Sequence, residues 1–168
     1  EIMLEIYGQD FPYDKYAKEA SLMYHEKYDG GRLPVKPGVR ELLKFLKEQE
    51  KKIALASSTR TATVVSQLKD AGIFDFFDVV ICGDMVKRSK PAPDIFLRAM
   101  EKLGVSPQEC LIIEDSTNGG KAAKAAGAKC VWYHNPDSGD QNIPYAELEI
   151  GEWNAENVNK LIQIMKEN

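Results

Sequence analysis

Leu111-Ile112-Ile113-Glu114-Asp115-Ser116-Thr117-Asn118-Gly119-Gly120 decides the fold. Its apolar start reads as a short buried strand running into two adjacent carboxylates, and the Ser, Asn and Gly that follow turn the chain into the Ala-rich segment 121–126. Open α/β sheets bind ligands beyond the carboxyl ends of their strands, which is where Glu114 and Asp115 fall. Neighbouring carboxylates repel, more strongly when buried, and a cation such as Mg2+ that takes hard oxygen ligands relieves the repulsion. The same residues also suit a plain helix start, because Asp115 or Ser116 can accept hydrogen bonds from first-turn amides.

On either side, strand and helix patterns alternate. Residues 39–49 predict an amphipathic helix through Leu42, Leu43 and Leu46, 52–56 a strand, 59–71 a helix closed by Gly72, 77–82 a strand, and 93–103 a helix closed by Gly104. The strand of the opening stretch spans 110–113, its helix spans 119–126 and closes at Gly127, a further strand spans 129–133, and a last helix spans 155–166. This alternation predicts an α/β fold with a doubly wound, Rossmann-like parallel sheet. Residues 135–151, rich in Asn, Asp, Gly and Pro, read as a long loop at the rim of the strand ends. Ahead of Pro37-Gly38 the pattern differs: two helices broken near Phe11-Pro12, with Asp14 capping the second and Asp29-Gly30-Gly31 ending it. The division expected is a helical unit over 1–33 and an α/β core over 34–168.

The 168 residues are 43% hydrophobic and 29% charged, enough for one respectable core. The net charge of -4 is spread without a basic stripe, which argues against nucleic acid as a partner and leaves anionic small molecules open. Cys82, Cys110 and Cys130 sit singly in apolar runs, without zinc or disulfide spacing, and read as reduced core residues. No run is long enough for a membrane helix and no signal-peptide pattern opens the chain, so a cytoplasmic protein is expected; a monomer is the separate expectation for its assembly. His25 and His134, the only histidines, read as surface or cap residues rather than bases, and Tyr13, Tyr16, Tyr24 and Tyr28 as packing in a helical core, with lining of a ligand-facing surface as the alternative.

Two further stretches carry chemistry. Ser57-Ser58-Thr59-Arg60 lies between a strand and a helix, where hydroxyls and unpaired amides either bind an anion such as phosphate or simply cap the helix; Ser57, first past the strand, is the stronger candidate for ligand contact. In Ser89-Lys90-Pro91-Ala92-Pro93-Asp94 the prolines stiffen the loop that presents Lys90, an ammonium suited to neutralising phosphate charge or holding a carboxylate.

In this order, Ser57 after its strand, Ser-Lys-Pro-Ala-Pro-Asp around Lys90 and the strand ending in Glu114-Asp115-Ser resemble three successive motifs of the haloacid dehalogenase-like hydrolase superfamily, in the branch of β-phosphoglucomutase and small sugar-phosphate phosphatases. The resemblance covers roughly residues 35–133. It implies that Ser57 and Lys90 are catalytic, that Ser57, Ser58 and Lys90 bind the substrate phosphate, and that Glu114 and Asp115 hold Mg2+. It also implies that the early helices are the trailing part of a helical cap. The family's first motif, an apolar strand ending in Asp-x-Asp-Gly, is not found in this sequence. Its nucleophile and general acid/base are therefore expected upstream, about 50 residues on domain-size reasoning, and the strand bearing them is expected between those ending at Ala56 and Ile113. The chain as given is then expected to be inactive. The function implied is Mg2+-dependent hydrolysis of a small phosphorylated metabolite, with a β-phosphoglucomutase, or a non-catalytic phosphate- and Mg2+-binding module, as alternatives.

Overall fold

The computed structural model describes residues 2–28, 30 and 32–166. Two helices come first, α1 (Ile2–Tyr7) and α2 (Tyr13–Tyr28), with the break near Phe11-Pro12 that the sequence predicts. Asp14 does not cap α2; the helix begins one residue earlier and holds Asp14 in its first turn. Asp29 and Gly31, expected to end the helix, lie outside the described residues. α2 buries none of its side chains, and Tyr13, Tyr16 and Tyr24 are exposed, against the expectation that packing accounts for them. Gln67 Nε2 donates to the Tyr24 hydroxyl at 2.7 Å.

From Val39 onward strand and helix alternate: α3 (Val39–Glu48), β1 (Ala54–Ser57), α4 (Thr61–Asp70), β2 (Val79–Cys82), α5 (Asp94–Leu103), β3 (Leu111–Glu114), α6 (Thr117–Ala126), β4 (Lys129–Tyr133), β5 (Leu148–Ile150) and α7 (Ala155–Lys166). α6 starts two residues before the predicted Gly119 because Ser116 takes its amino end, accepting from the Gly119 amide at 3.0 Å. The expected loop over 135–151 contains β5, a strand too short for its alternation to stand out.

Every strand pair is parallel, but the strands form two sheets, β1-β2 and β3-β4-β5. No hydrogen bonds join β1 to β3 among the described residues; the strands do not close around the expected gap. Between them lies an apolar slot of about 490 Å³ lined by Ala54 to Ala56 on one side and Leu111 to Ile113 on the other. Ile113 is 38% exposed there, although its neighbour Ile112 is buried.

The core spans both sheets because successive strand residues point to opposite faces. Ile81, Ile112 and Cys130 pack with Ile95, Phe96 and Met100 of α5 and with the alanines of α6. Cys82 joins Leu43 of α3 and Val64 and Leu68 of α4, while Val131 joins Leu42 of α3 and Leu161 of α7. Helices therefore cover both faces, as a doubly wound arrangement requires. Among the described residues no helix is long and apolar enough to cross a membrane. All three cysteines are free, as expected.

Candidate active site

The carboxyl ends of β1 and β3 open into one cavity of about 650 Å³. Ser57, Ser58, Lys90, Glu114 and Asp115, predicted separately along the sequence, all line it, together with Lys36 and Asn135.

Glu114, the last residue of β3, is the one buried charged side chain among the described residues, 8% exposed. One carboxylate oxygen, Oε1, pairs with the Lys90 ammonium. The other, Oε2, accepts from the Ser116 hydroxyl at 3.0 Å and the Ser116 amide at 3.4 Å. The carboxylate lies flat against Gly119 in the first turn of α6, where a Cβ would collide with it. Both carboxylate oxygens are thus engaged within the chain. Ser116, weighed in the sequence as a cap, both caps α6 and anchors Glu114.

Lys90 is held from several sides. Its ammonium also donates to the Ala56 carbonyl at 3.3 Å and stands 4.8 Å from the centroid of the Phe96 ring. Its loop is tied down where α5 begins, by Arg88, whose guanidinium forks onto Asp94 with contacts of 2.7 to 3.1 Å.

Asp115 is half-buried and turns to the opposite side. Its Oδ2 accepts from Asn135 Nδ2 at 2.7 Å and Ser138 Oγ at 2.6 Å. Burial pushes the carboxyl up, but the bonds from Ser138 and Asn135 outweigh it and hold the group below its ordinary value. Asn135 and Ser138 were not singled out from the sequence. Only their place in a loop at the strand ends pointed to them, since no spacing motif ties them to Asp115.

At β1, the Ser57 hydroxyl accepts from the Thr59 amide at 3.2 Å, which leaves its hydrogen free to donate. It does not cap α4. That role belongs to Asp84, which accepts from the Thr61 amide at 3.0 Å and the Thr61 hydroxyl at 2.7 Å, so the capping alternative for Ser57 is removed. His134, expected on the surface, is exposed, stacks on Trp132 with centroids 3.9 Å apart and faces Glu149 at 3.1 Å.

Among the described residues no group of three or more His, Cys, Asp or Glu is placed to hold a metal ion. Mg2+ does not require one: it keeps several waters and is commonly bound by one or two carboxylates together with substrate phosphate. Asp115, with an oxygen that takes no side-chain hydrogen bond among the described residues, fits that chemistry; Glu114 fits it less directly, since both its oxygens are engaged.

Fold and site define a doubly wound α/β chain with a hydroxyl, an ammonium and two carboxylates gathered at its strand ends. Residues 7–127 match the haloacid dehalogenase-like hydrolases, and the chain belongs to that family. It is 36% identical over 133 residues to a phosphorylated carbohydrates phosphatase of Thermotoga maritima, covering 78% of this chain and 59% of the relative. In structure it resembles a β-phosphoglucomutase of Clostridium difficile, with a TM-score of 0.79 and 27% identity over 98% of this chain and 74% of that one. It also resembles a CbbY variant of Rhodobacter sphaeroides in complex with xylulose 1,5-bisphosphate, with a TM-score of 0.66 and 30% identity over 70% of this chain and 54% of that one. The chain spans about half the length of the curated relatives it matches.

Proposed function

We propose that the protein is a Mg2+-dependent phosphomonoesterase of a small phosphorylated metabolite, of the sugar-phosphate class. The observation that carries this is the convergence of Ser57, Lys90, Glu114 and Asp115 on one cavity at the strand ends. The names of a phosphorylated carbohydrates phosphatase and of a structure holding a sugar bisphosphate support the substrate class.

In this scheme the transferring phosphoryl group sits among Ser57, Ser58 and Lys90. Ser57 donates its free hydrogen to a phosphoryl oxygen, and Lys90, anchored by Glu114 and Ala56, offsets charge from a position that needs no rearrangement during reaction. Asp115, with Glu114 behind it, would hold Mg2+, which supplies charge neutralisation on the phosphate oxygens. The nucleophile is an aspartate upstream of this chain: its carboxylate attacks phosphorus, the ester oxygen leaves as an alcohol with a proton from a second aspartate, and water then releases inorganic phosphate. The gap between β1 and β3 supports this, because it is where a strand carrying those groups would reach the cavity. Residues 1–33 are then the end of a cap over the site and 34–168 the catalytic core, in a monomeric cytoplasmic protein.

The test is release of inorganic phosphate from a panel of sugar phosphates, with and without Mg2+, by the protein carrying its native amino terminus. Absence of Mg2+-dependent release across the panel, together with tight phosphate binding, would favour a binding module instead. The extent of the match to a β-phosphoglucomutase favours a second reading, in which the phosphate returns to a sugar. β-Glucose 1-phosphate with a trace of bisphosphate separates the two: the phosphatase frees phosphate, and the mutase yields glucose 6-phosphate without it.

A further inference from the structure

The segment after β4 is fastened to the start of α6. The Thr117 amide donates to Gln141 Oε1 at 2.8 Å, and the Asn142 amide donates to Thr117 Oγ1 at 2.9 Å. Gln141 Nε2 in turn donates to the Ser138 carbonyl at 2.7 Å. Two side chains of this segment converge on a single atom, Asp115 Oδ2, from Asn135 at 2.7 Å and Ser138 at 2.6 Å. Both are themselves fixed, Asn135 Nδ2 reaching Ser138 Oγ at 2.8 Å and Asn135 Oδ1 accepting from the Asp137 amide at 3.2 Å. Among the described residues no side chain donates to Oδ1.

A half-buried carboxylate beside a cavity could satisfy itself with water. Here two pre-set side-chain donors occupy Oδ2, so the carboxylate is fixed in orientation, with Oδ1 left without a side-chain donor among the described residues. We propose that Asn135 and Ser138 are positioning residues: by holding Oδ2 they present Asp115 to a divalent cation through Oδ1 alone. This rests on the Mg2+ role given to Asp115 above. Single-oxygen ligation suits the tight octahedron of Mg2+, whereas Ca2+ readily takes a carboxylate through both oxygens, so the pair also selects between the ions.

The test is displacement of Mn2+ from the full chain by Mg2+ or Ca2+, read as free Mn2+ by electron paramagnetic resonance, with thermal melts followed by circular dichroism to establish that each variant is folded. Asn135→Ala and Ser138→Ala should each weaken Mg2+ by roughly tenfold to a hundredfold, and Ca2+ by less. Ser138→Thr, which keeps the hydroxyl, should restore Mg2+ affinity. Asp115→Asn is the control for the underlying assignment. If it weakens Mg2+ while Asn135→Ala and Ser138→Ala do not, the positioning role is wrong and the metal assignment stands. If Asp115→Asn leaves Mg2+ affinity unchanged, or the chain binds no Mn2+ saturably, the metal assignment fails and the positioning role with it.

Discussion

Lys90 and Glu114 form an ion pair across the mouth of the slot between β1 and β3, with side chains only 11% and 7% exposed. The same ammonium donates to the Ala56 carbonyl at the end of β1. The two strands share no hydrogen bonds among the described residues, so this pair is a polar tie between the two sheets as well as part of the site. A charge buried this deeply is tolerable only while its partner is present.

Lys90→Met should therefore cost about 3–5 kcal/mol of stability in urea unfolding, because it strands the Glu114 carboxylate. Lys90→Met combined with Glu114→Gln should recover most of that loss. A double variant as unstable as the single one would mean that the two charges are not coupled.

Gly119→Ala places a methyl group against the Glu114 carboxylate. The expected loss is about 1–3 kcal/mol in the same assay. On a Glu114→Ala background the loss should shrink, since the group the methyl strikes is gone; an unchanged loss would place the strain elsewhere.

Stability should depend on pH through Asp78. Lys47 bonds its Oδ1 at 2.6 Å and the Ile53 amide its Oδ2 at 2.8 Å, and these hold the carboxyl below its ordinary 3.8. Its folded value being the lower one, the unfolded chain binds the proton first as pH falls. The contribution is complete above the unfolded value and is lost as pH drops through the folded one. The difference in melting temperature between wild type and Asp78→Asn should be constant from neutral pH down to about 5 and vanish in strong acid. A difference that grew on acidification would contradict the assignment.

The three thiols should differ in reactivity. Burial, with the Glu114 charge adding to it, pushes the Cys130 thiol up to about 12, so at pH 8 only about one molecule in 10⁴ carries the thiolate there. Cys82 is likewise buried, whereas Cys110 is half-buried. Alkylation of the native protein followed by peptide mass mapping should label Cys110 first, and equal rates at all three would contradict this packing.

The order of elements was legible because each strand and helix from Val39 to Tyr133 carries its own period and stop signal, with Gly104 and Gly127 ending their helices as read. β5 was not, since Leu148–Ile150 is too short to show alternation. Ser57, Lys90, Glu114 and Asp115 could be singled out because each follows a strand or sits in a stiff Pro-flanked loop. Their partners could not. Asn135, Ser138 and Asp84 reach their targets only through folding, 20 or more residues away in sequence, and nothing local in an Asn-Pro-Asp-Ser turn distinguishes a segment that bonds Asp115 from a surface loop. The Lys90–Glu114 pair was legible only in part: the Pro-stiffened loop suggested that Lys90 holds a carboxylate or meets phosphate, but nothing local named Glu114 as that carboxylate.

Phosphate release from a sugar phosphate by the protein with its native amino terminus, compared between wild type and Asp115→Asn over a range of Mg2+ concentrations, is the measurement to make. The arrangement around Asp115 predicts a loss of roughly a hundredfold or more in turnover, with a requirement for more Mg2+. Wild-type turnover at wild-type Mg2+ concentrations in Asp115→Asn would contradict it.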